Sequence, residues 1–180
     1  VSLAVLDVAG APAQTRKIVR PDDTVVIIGG GGKSGVLCAY EAKRKPGVRV
    51  IVVDYSSESI ARARALSFVD DVIQADARNA VSVYEKINQI TNGKRADVVI
   101  NVANIPETEM SSVLCCRQGG VVYLFSMATH FARAALGAEG VGADVELRIG
   151  NGYTKGHAEL SLNIMRESSE LRKLFEELYA

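Results

Sequence analysis

Residues 24–35 read TVVIIGGGGKSG, and the prediction of the fold starts from them. Its first five residues are apolar or β-branched without a polar break, which is typical of a strand buried on both faces of a parallel sheet. After the glycines, Lys33 and Ser34 lead into the apolar residues 36–40, which begin a helix pattern. The turn between strand and helix therefore carries the motif G-x-G-x-x-G, whose glycines are Gly30, Gly32 and Gly35.

This glycine motif predicts a turn that binds a pyrophosphate. The first glycine allows a tight turn, the second lets the backbone approach the pyrophosphate, and the third lets the helix pack on the strand. The helix N-terminus adds unpaired N–H groups and a partial positive charge. Lys33 and Ser34 follow the second glycine, so we expect both at the phosphates. A Walker A loop is excluded because Ile27 stands where that motif needs its first glycine.

The second apolar run, residues 49–53, ends at an acidic residue that fits a ribose site. Asp54 stands 19 residues after Gly35, against the roughly 20 expected for the acid that binds an adenosine ribose. The alternative is that Asp54 caps the helix that follows. A 2′-phosphate would meet like charge at Asp54, and no arginine follows until Arg62, so NAD is predicted over NADP. Tyr55 and Ser56 would border the adenine.

Six short apolar runs alternate with helix-like segments along the chain, which predicts an α/β fold of the Rossmann type. We expect a doubly wound, six-stranded parallel sheet in the order 3-2-1-4-5-6, with a helix that starts at Pro12 and a last helix over residues 158–179. The chain opens at Val1 rather than at methionine. Residues 1–23 are therefore predicted to be a helical connection from an N-terminal domain, and residues 24–180 to be the NAD-binding Rossmann domain.

Ligands of such sheets bind beyond the carboxyl ends of the strands. After the third strand, Asp76 and Ala77 are expected beside the adenine, although Asp76 is equally suited to cap a helix. Five residues that follow the fourth and fifth strands are expected beside the nicotinamide, with packing at the sheet edge as the alternative. These five are Asn101, Val102, Ala103, Ser126 and Met127.

Residues 151–159, NGYTKGHAE, form the most polar stretch on this edge. A lysine with a lowered pKa or a histidine near neutrality can act as the general base of a dehydrogenase. Lys155 and His157 are therefore predicted to be catalytic. The alternative is a solvated loop in which His157 lies near the start of the last helix.

Composition narrows the function classes. The chain has 180 residues, of which 48% are hydrophobic, and 21 basic residues balance 21 acidic ones. Neither a nucleic-acid surface nor a membrane anchor is expected from that balance, and no apolar run approaches the ~18 residues of a membrane span. Three cysteines without a disulfide pattern and a start without a basic region favour a cytoplasmic protein. No metal site is predicted, because Cys115 and Cys116 are adjacent and no Cys-x-x-Cys occurs.

The whole chain resembles the nucleotide-binding half of the medium-chain dehydrogenase superfamily. Six segments resemble, more specifically, the L-erythro-3,5-diaminohexanoate dehydrogenase family of lysine fermentation: GGGGKSG, ADVVINVAN, PETEMSS, YLFSMAT, ALGAEGVG and IGNGYTKGHAE. The resemblance implies NAD-dependent oxidative deamination of a small diamino acid to 5-amino-3-oxohexanoate and ammonia. It also implies a homo-oligomer, expected as a dimer whose sheet continues near Tyr123–Phe125. Members are about twice this length, and the zinc ligands of zinc-dependent relatives would lie in their N-terminal half.

Two other functions stay open on the sequence alone. The same Rossmann half occurs in zinc alcohol dehydrogenases and quinone reductases. A module that binds NAD as a sensor, without catalysing a reaction, would also carry the glycine turn and Asp54. The polar loop at residues 151–157 counts against the sensor, because a sensor needs no such groups near the nicotinamide.

Overall fold

A computed structural model describes residues 1–150 and 153–179 of the chain. Its described residues form one six-stranded sheet in the order β3-β2-β1-β4-β5-β6, and every pair of neighbouring strands is parallel. This confirms the predicted fold class and strand order. The strands are β1 Thr24–Ile28, β2 Arg49–Asp54, β3 Asp71–Gln74, β4 Ala96–Asn101, β5 Cys116–Leu124 and β6 Val145–Ile149.

Helices connect the strands and cover both faces of the sheet. In the described residues they are α1 Ser2–Leu6, α2 Gly10–Ile18, α3 Lys33–Lys43, α4 Ser57–Arg64, α5 Ala80–Ile90, α6 Glu109–Cys115, α7 Phe131–Gly140, α8 His157–Glu167 and α9 Ser169–Tyr179. None of these helices combines the length and the apolar character needed to cross a membrane.

The two faces of the sheet carry separate apolar cores. Val25 and Ile27 of β1 point to the core that α1 to α4, α8 and α9 cover. Val26 and Ile28 point to the opposite core, which α5, α6 and α7 cover. Since side chains alternate between faces along a strand, both sets must be apolar, and β1 accordingly has no polar break.

The strands end nearly level, and this brings their carboxyl ends to one edge. Ile28 pairs with Val53 on one side and with Asn101 on the other. Leu124 pairs with Asn101 and Ile149. The segments that follow the strands therefore begin side by side, which is the arrangement that builds a ligand site in parallel sheets.

Two predicted helices differ from the observed ones. The single helix predicted over residues 158–179 is two helices, because Ser168 has extended backbone (φ −101°, ψ 104°) and its Oγ accepts the Leu171 N–H. The apolar spacing continues across the break, since Ile164 and Leu171 are buried in the same core. The helix predicted from Pro12 begins at Gly10, two residues earlier.

The described sheet has its edges at β3 and β6, so Tyr123–Phe125 is not at an edge. β5 pairs with β4 on one side and with β6 on the other, so Tyr123 is in the sheet interior and is fully buried. At the other end of the chain, Val5 of α1 and Ala11 of α2 pack into the same core as α3. The division of the chain at residue 23 stays a prediction.

Candidate functional site

A cavity of about 870 Å³ opens along the carboxyl ends of the strands. It is a volume typical of sites for cofactors and other small molecules. The structure brings most of the predicted site residues together in its wall: Gly32, Lys33, Ser34, Asp54, Tyr55, Ser56, Asp76, Val102, Ala103, Ser126 and Met127. Further residues of the wall, to which the sequence assigned no binding role, are Asp7, Val8, Gly29, Ser59, Arg78, Asn104, Ile105, Phe125 and Gly150.

The glycine turn leaves the start of α3 open toward this cavity. Gly32 is the N-cap residue of α3, and no side chain caps the helix there. The turn is closed by backbone hydrogen bonds, in which the Gly32 N–H donates to the Gly29 carbonyl over 3.1 Å. Gly29 has a φ of 81°, in the left-handed region that glycine tolerates best. Unpaired N–H groups at a helix start favour an anion, as predicted for a pyrophosphate.

Two of the motif glycines are needed for packing and do not line the cavity. A Cβ on Gly35 would lie 2.5 Å from the Gly29 carbonyl oxygen and 2.5 Å from Gly30 Cα. A Cβ on Gly30 would lie 2.7 Å from the side chain of Val52. Gly31 has the same constraint, because its Cβ would lie 2.5 Å from the Ser59 carbonyl oxygen. The motif does not assign Gly31 a role, so the sequence analysis missed it.

Asp54 ties the glycine turn to the end of β2. Its Oδ2 accepts the Gly31 N–H over 2.9 Å, and its Oδ1 accepts the Tyr55 N–H over 2.8 Å. The cap of α4 is Ser56, whose Oγ accepts the Ser59 N–H over 3.1 Å. The alternative role of Asp54 as a helix cap is therefore excluded. Its carboxylate lines the cavity, and ribose binding by it stays a prediction.

The adenine side of the predicted site carries an ion pair between Asp76 and Arg78. Arg78 binds the Asp76 carboxylate through Nε and Nη2, over 3.0 and 2.9 Å. The Arg78 side chain and then its N–H hold the pKa of Asp76 below its usual range. Asp76 does not cap α5, because Asn79 Oδ1 accepts the Ser82 N–H in that role. Ala77 is buried and does not line the cavity.

Asn101 is not exposed to the cavity, although it ends β4 beside it. The residue is fully buried. Its Nδ2 donates to Thr108 Oγ1 over 2.8 Å and to Ser112 Oγ over 2.9 Å, and its Oδ1 accepts the Ala103 N–H over 3.1 Å. These bonds occupy the side chain inside the protein. Asn101 therefore orders the segment that follows β4 and does not itself face a ligand.

The predicted catalytic residues stand apart from the cavity wall. His157 begins α8, and its Nδ1 lies 2.8 Å from the Thr154 carbonyl oxygen. The ring of Tyr153 packs edge-on against the His157 ring, with the centroids 5.8 Å apart. Lys155 is exposed, and neither Lys155 nor His157 lines the cavity. Residues 151 and 152 of this loop lie outside the described residues, and the catalytic role stays a prediction.

No zinc site fits the part of the chain that the structure describes. Among residues 1–150 and 153–179, no three His, Cys, Asp or Glu side chains form a group that would hold a metal ion. Burial raises the pKa of Cys38, Cys115 and Cys116 to about 12. Metal ions bind the thiolate form of cysteine, and burial disfavours that form in these three residues.

Comparison with known proteins identifies relatives of this arrangement. Residues 35–141 match the family described as zinc-binding dehydrogenase. L-erythro-3,5-diaminohexanoate dehydrogenases of Acetoanaerobium sticklandii and Fusobacterium nucleatum are 54% and 46% identical over 180 residues, which is 99% of this chain and 52% of each relative. The chain thus spans about half the length of the curated relatives it matches.

Solved structures share the fold at low sequence identity. An alcohol dehydrogenase from Thermotoga maritima superposes with a TM-score of 0.75 at 20% identity, over 96% of this chain and 49% of that one. A mycobacterial protein complexed with NADPH superposes with a TM-score of 0.66 at 17% identity, over 93% of this chain and 52% of that one. These similarities agree on a Rossmann-type sheet.

Proposed function

Since the chain belongs to the zinc-binding dehydrogenase family, we propose that it is the cofactor-binding half of an L-erythro-3,5-diaminohexanoate dehydrogenase. The observation that carries the proposal is the 54% identity to the Acetoanaerobium sticklandii enzyme of that name over 99% of this chain. The cavity supports it, because an open helix N-terminus and a carboxylate at the end of β2 stand in one wall. The reaction is the oxidative deamination at C3 that yields 5-amino-3-oxohexanoate and ammonia.

The cofactor proposed for the cavity is NAD rather than NADP. The uncapped N–H groups of α3 and the ammonium of Lys33 would hold the pyrophosphate, and Asp54 would accept hydrogen bonds from the adenosine ribose. A 2′-phosphate at that position would approach the Asp54 carboxylate and be repelled by it. When bound, the nicotinamide accepts the hydride that leaves C3 of the substrate.

The reaction also requires side chains of the protein that accept and donate protons. The substrate amine must lose a proton before C3 can release a hydride, and water must then add to the resulting imine. A general base serves both steps and typically contributes ~10²–10⁴-fold. Lys155 and His157 stay our candidates, although neither lines the cavity wall. In the full-length enzyme, Lys155→Ala or His157→Ala should lower turnover at least about tenfold while NAD binding is kept.

The part of the chain that the structure describes offers no group of ligands for zinc, and zinc ligands of the zinc-dependent relatives would lie in their N-terminal half. We also propose that the protein is cytoplasmic, since its three cysteines are free. A homodimer is proposed to form through the edge strand β6. Light scattering of the purified protein would test the dimer.

The decisive experiment is an assay of a full-length protein, in which this chain is joined to an N-terminal half like that of its relatives. NADH absorbance is followed after addition of 5-amino-3-oxohexanoate, with and without ammonium. Oxidation that requires both supports the proposal. Ammonium-independent oxidation with a quinone or an aldehyde would support an alcohol dehydrogenase or quinone reductase instead. Binding of NADH without any turnover would favour the sensor.

A further inference from the structure

An ion pair joins the glycine turn to the segment between α1 and α2. Lys33 is the first residue of α3, and its Nζ lies 2.5 Å from Asp7 Oδ2. Both residues line the cavity. The side chains are 26% and 66% exposed, respectively. The pair thus stands at the cavity surface, where a ligand can reach it.

The last helix holds the same ammonium from another direction. Nζ of Lys33 lies 5.9 Å from the centre of the Tyr179 ring, which is within the range of a cation–π contact. Leu178 and Tyr179 of α9 also border a small space behind Gly31 and Gly32. Two elements far apart in the sequence therefore keep the Lys33 ammonium next to the turn.

The charges around this ammonium conflict once an anion binds. An anion at the start of α3 would lie beside Lys33, since that residue follows the uncapped Gly32. It would also approach the Asp7 carboxylate, which has the same sign. An ammonium shared between two anions is attracted to each, but the two anions repel one another. The Lys33 ammonium therefore favours binding of a phosphate at the turn, and the Asp7 carboxylate disfavours it.

We propose that a bound pyrophosphate takes the Lys33 ammonium from Asp7, and that Asp7 thereby weakens the binding of ligands whose phosphates reach the turn. This inference rests on the proposed dinucleotide site. A nucleoside without phosphates leaves the ion pair intact, so Asp7 acts on ADP-ribose and not on adenosine. A weaker hold on the pyrophosphate speeds cofactor release, a step that limits turnover in many enzymes.

The test measures the affinity of the chain for ADP-ribose and for adenosine by calorimetry. Asp7→Asn removes the competing charge, and Asp7→Ser repeats the change with a smaller side chain. Lys33→Gln removes the ammonium. Lys43→Gln is the matched control, because Lys43 ends the same helix, pairs with Asp70 over 2.7 Å and does not line the cavity.

Removing the Asp7 charge should tighten ADP-ribose binding about two- to fivefold, because an exposed ion pair typically changes an equilibrium constant by that factor. Lys33→Gln should weaken it about tenfold or more, because a charged hydrogen bond to phosphate is lost. Adenosine affinity should stay unchanged in all variants, and Lys43→Gln should change neither ligand. Thermal unfolding of each variant checks that the fold is kept.

Weaker ADP-ribose binding in both Asp7 variants would overturn the inference, because Asp7 would then position Lys33 rather than compete for it. Equal changes for adenosine and ADP-ribose would also overturn it, since they indicate a structural effect. A wild-type chain that binds neither ADP-ribose nor NADH contradicts the proposed function itself. Normal wild-type binding with no effect of either Asp7 variant contradicts only the inference.

Discussion

Gly35→Ala should destabilise the chain, although alanine is the better helix former. Gly35 lies in α3, where alanine would gain about 1 kcal/mol over glycine. The new Cβ would however stand 2.5 Å from both the Gly29 carbonyl oxygen and Gly30 Cα. These are backbone atoms of the tight turn, so they cannot move aside as the end of a flexible side chain would. Overpacking of this kind costs about 1–3 kcal/mol.

The overlap at Gly35 is with backbone on two sides, which places the cost near the upper value. We therefore expect a net loss of about 2 kcal/mol in the free energy of unfolding. With a urea dependence of about 2 kcal/mol per molar, the unfolding midpoint should fall by about 1 M. Circular dichroism during urea titration measures this, and NADH fluorescence measures the accompanying loss of binding as the turn is displaced.

Gly140→Ala is the matched control for Gly35→Ala. Gly140 is also helical, at the end of α7, and a Cβ there would meet no atom within 4 Å. The same substitution should therefore leave stability unchanged or raise it by up to about 1 kcal/mol. A Gly35→Ala chain that unfolds at the wild-type urea concentration and binds NADH normally would show that a Cβ is tolerated at this position.

Three further predictions concern the site and the core. Asp54→Ala should weaken NADH binding about tenfold and reduce the preference over NADPH, because two backbone N–H groups and the ribose lose their acceptor; calorimetry measures both ligands. Asn101→Ala should lower the free energy of unfolding by about 1–3 kcal/mol, since the Ala103 N–H and the hydroxyls of Thr108 and Ser112 lose their partner; urea titration measures it. Burial raises the pKa of the Cys38 thiol from 9.0 to about 12, so the thiol ionises more readily in the unfolded chain than in the folded one. The free energy of unfolding should therefore be unaffected by this thiol below pH 9.0 and should fall as the pH rises toward 12; urea titrations across that range measure it.

The order of the sheet could be predicted from the sequence because burial on both faces leaves a direct mark. A strand such as β1 must be apolar at consecutive positions, and β2 and β4 contain similar runs, whereas the edge strands β3 and β6 are only partly buried and carry polar residues. Strands that alternate with helices are joined by right-handed crossovers, which limits the possible strand orders. The spacing from Gly35 to Asp54 likewise reflects one helix and one strand of ordinary length. Local sequence patterns were therefore sufficient to predict the architecture and the edge of the sheet at which the cavity lies.

Contacts between distant segments could not be predicted in the same way. Lys33 meets Asp7 because α1 and α3 pack on one core, and no spacing rule connects residues that tertiary packing brings together. Arg78 follows Asp76 by two residues, yet their bidentate pairing depends on the turn after β3. Asn101 was expected at the ligand because it ends β4, whereas its burial depends on how α6 folds back beneath it.

The break at Ser168 was hidden for a related reason. Apolar residues on both sides of it are buried against the same core, so the helical period continues through the interruption. A serine inside a polar stretch of a helix is common enough that its capping bond to Leu171 leaves no distinct pattern. Hydrophobic periodicity reports which face is buried and is insensitive to a single extended residue.

Calorimetric titration of the chain with NADH and with NADPH would establish whether the cavity at the carboxyl ends of the strands binds NAD(H). We expect one site per chain, with NADH bound about tenfold or more tightly than NADPH, because the Asp54 carboxylate repels the 2′-phosphate. Equal affinity for the two cofactors, or no binding of either, would contradict this expectation.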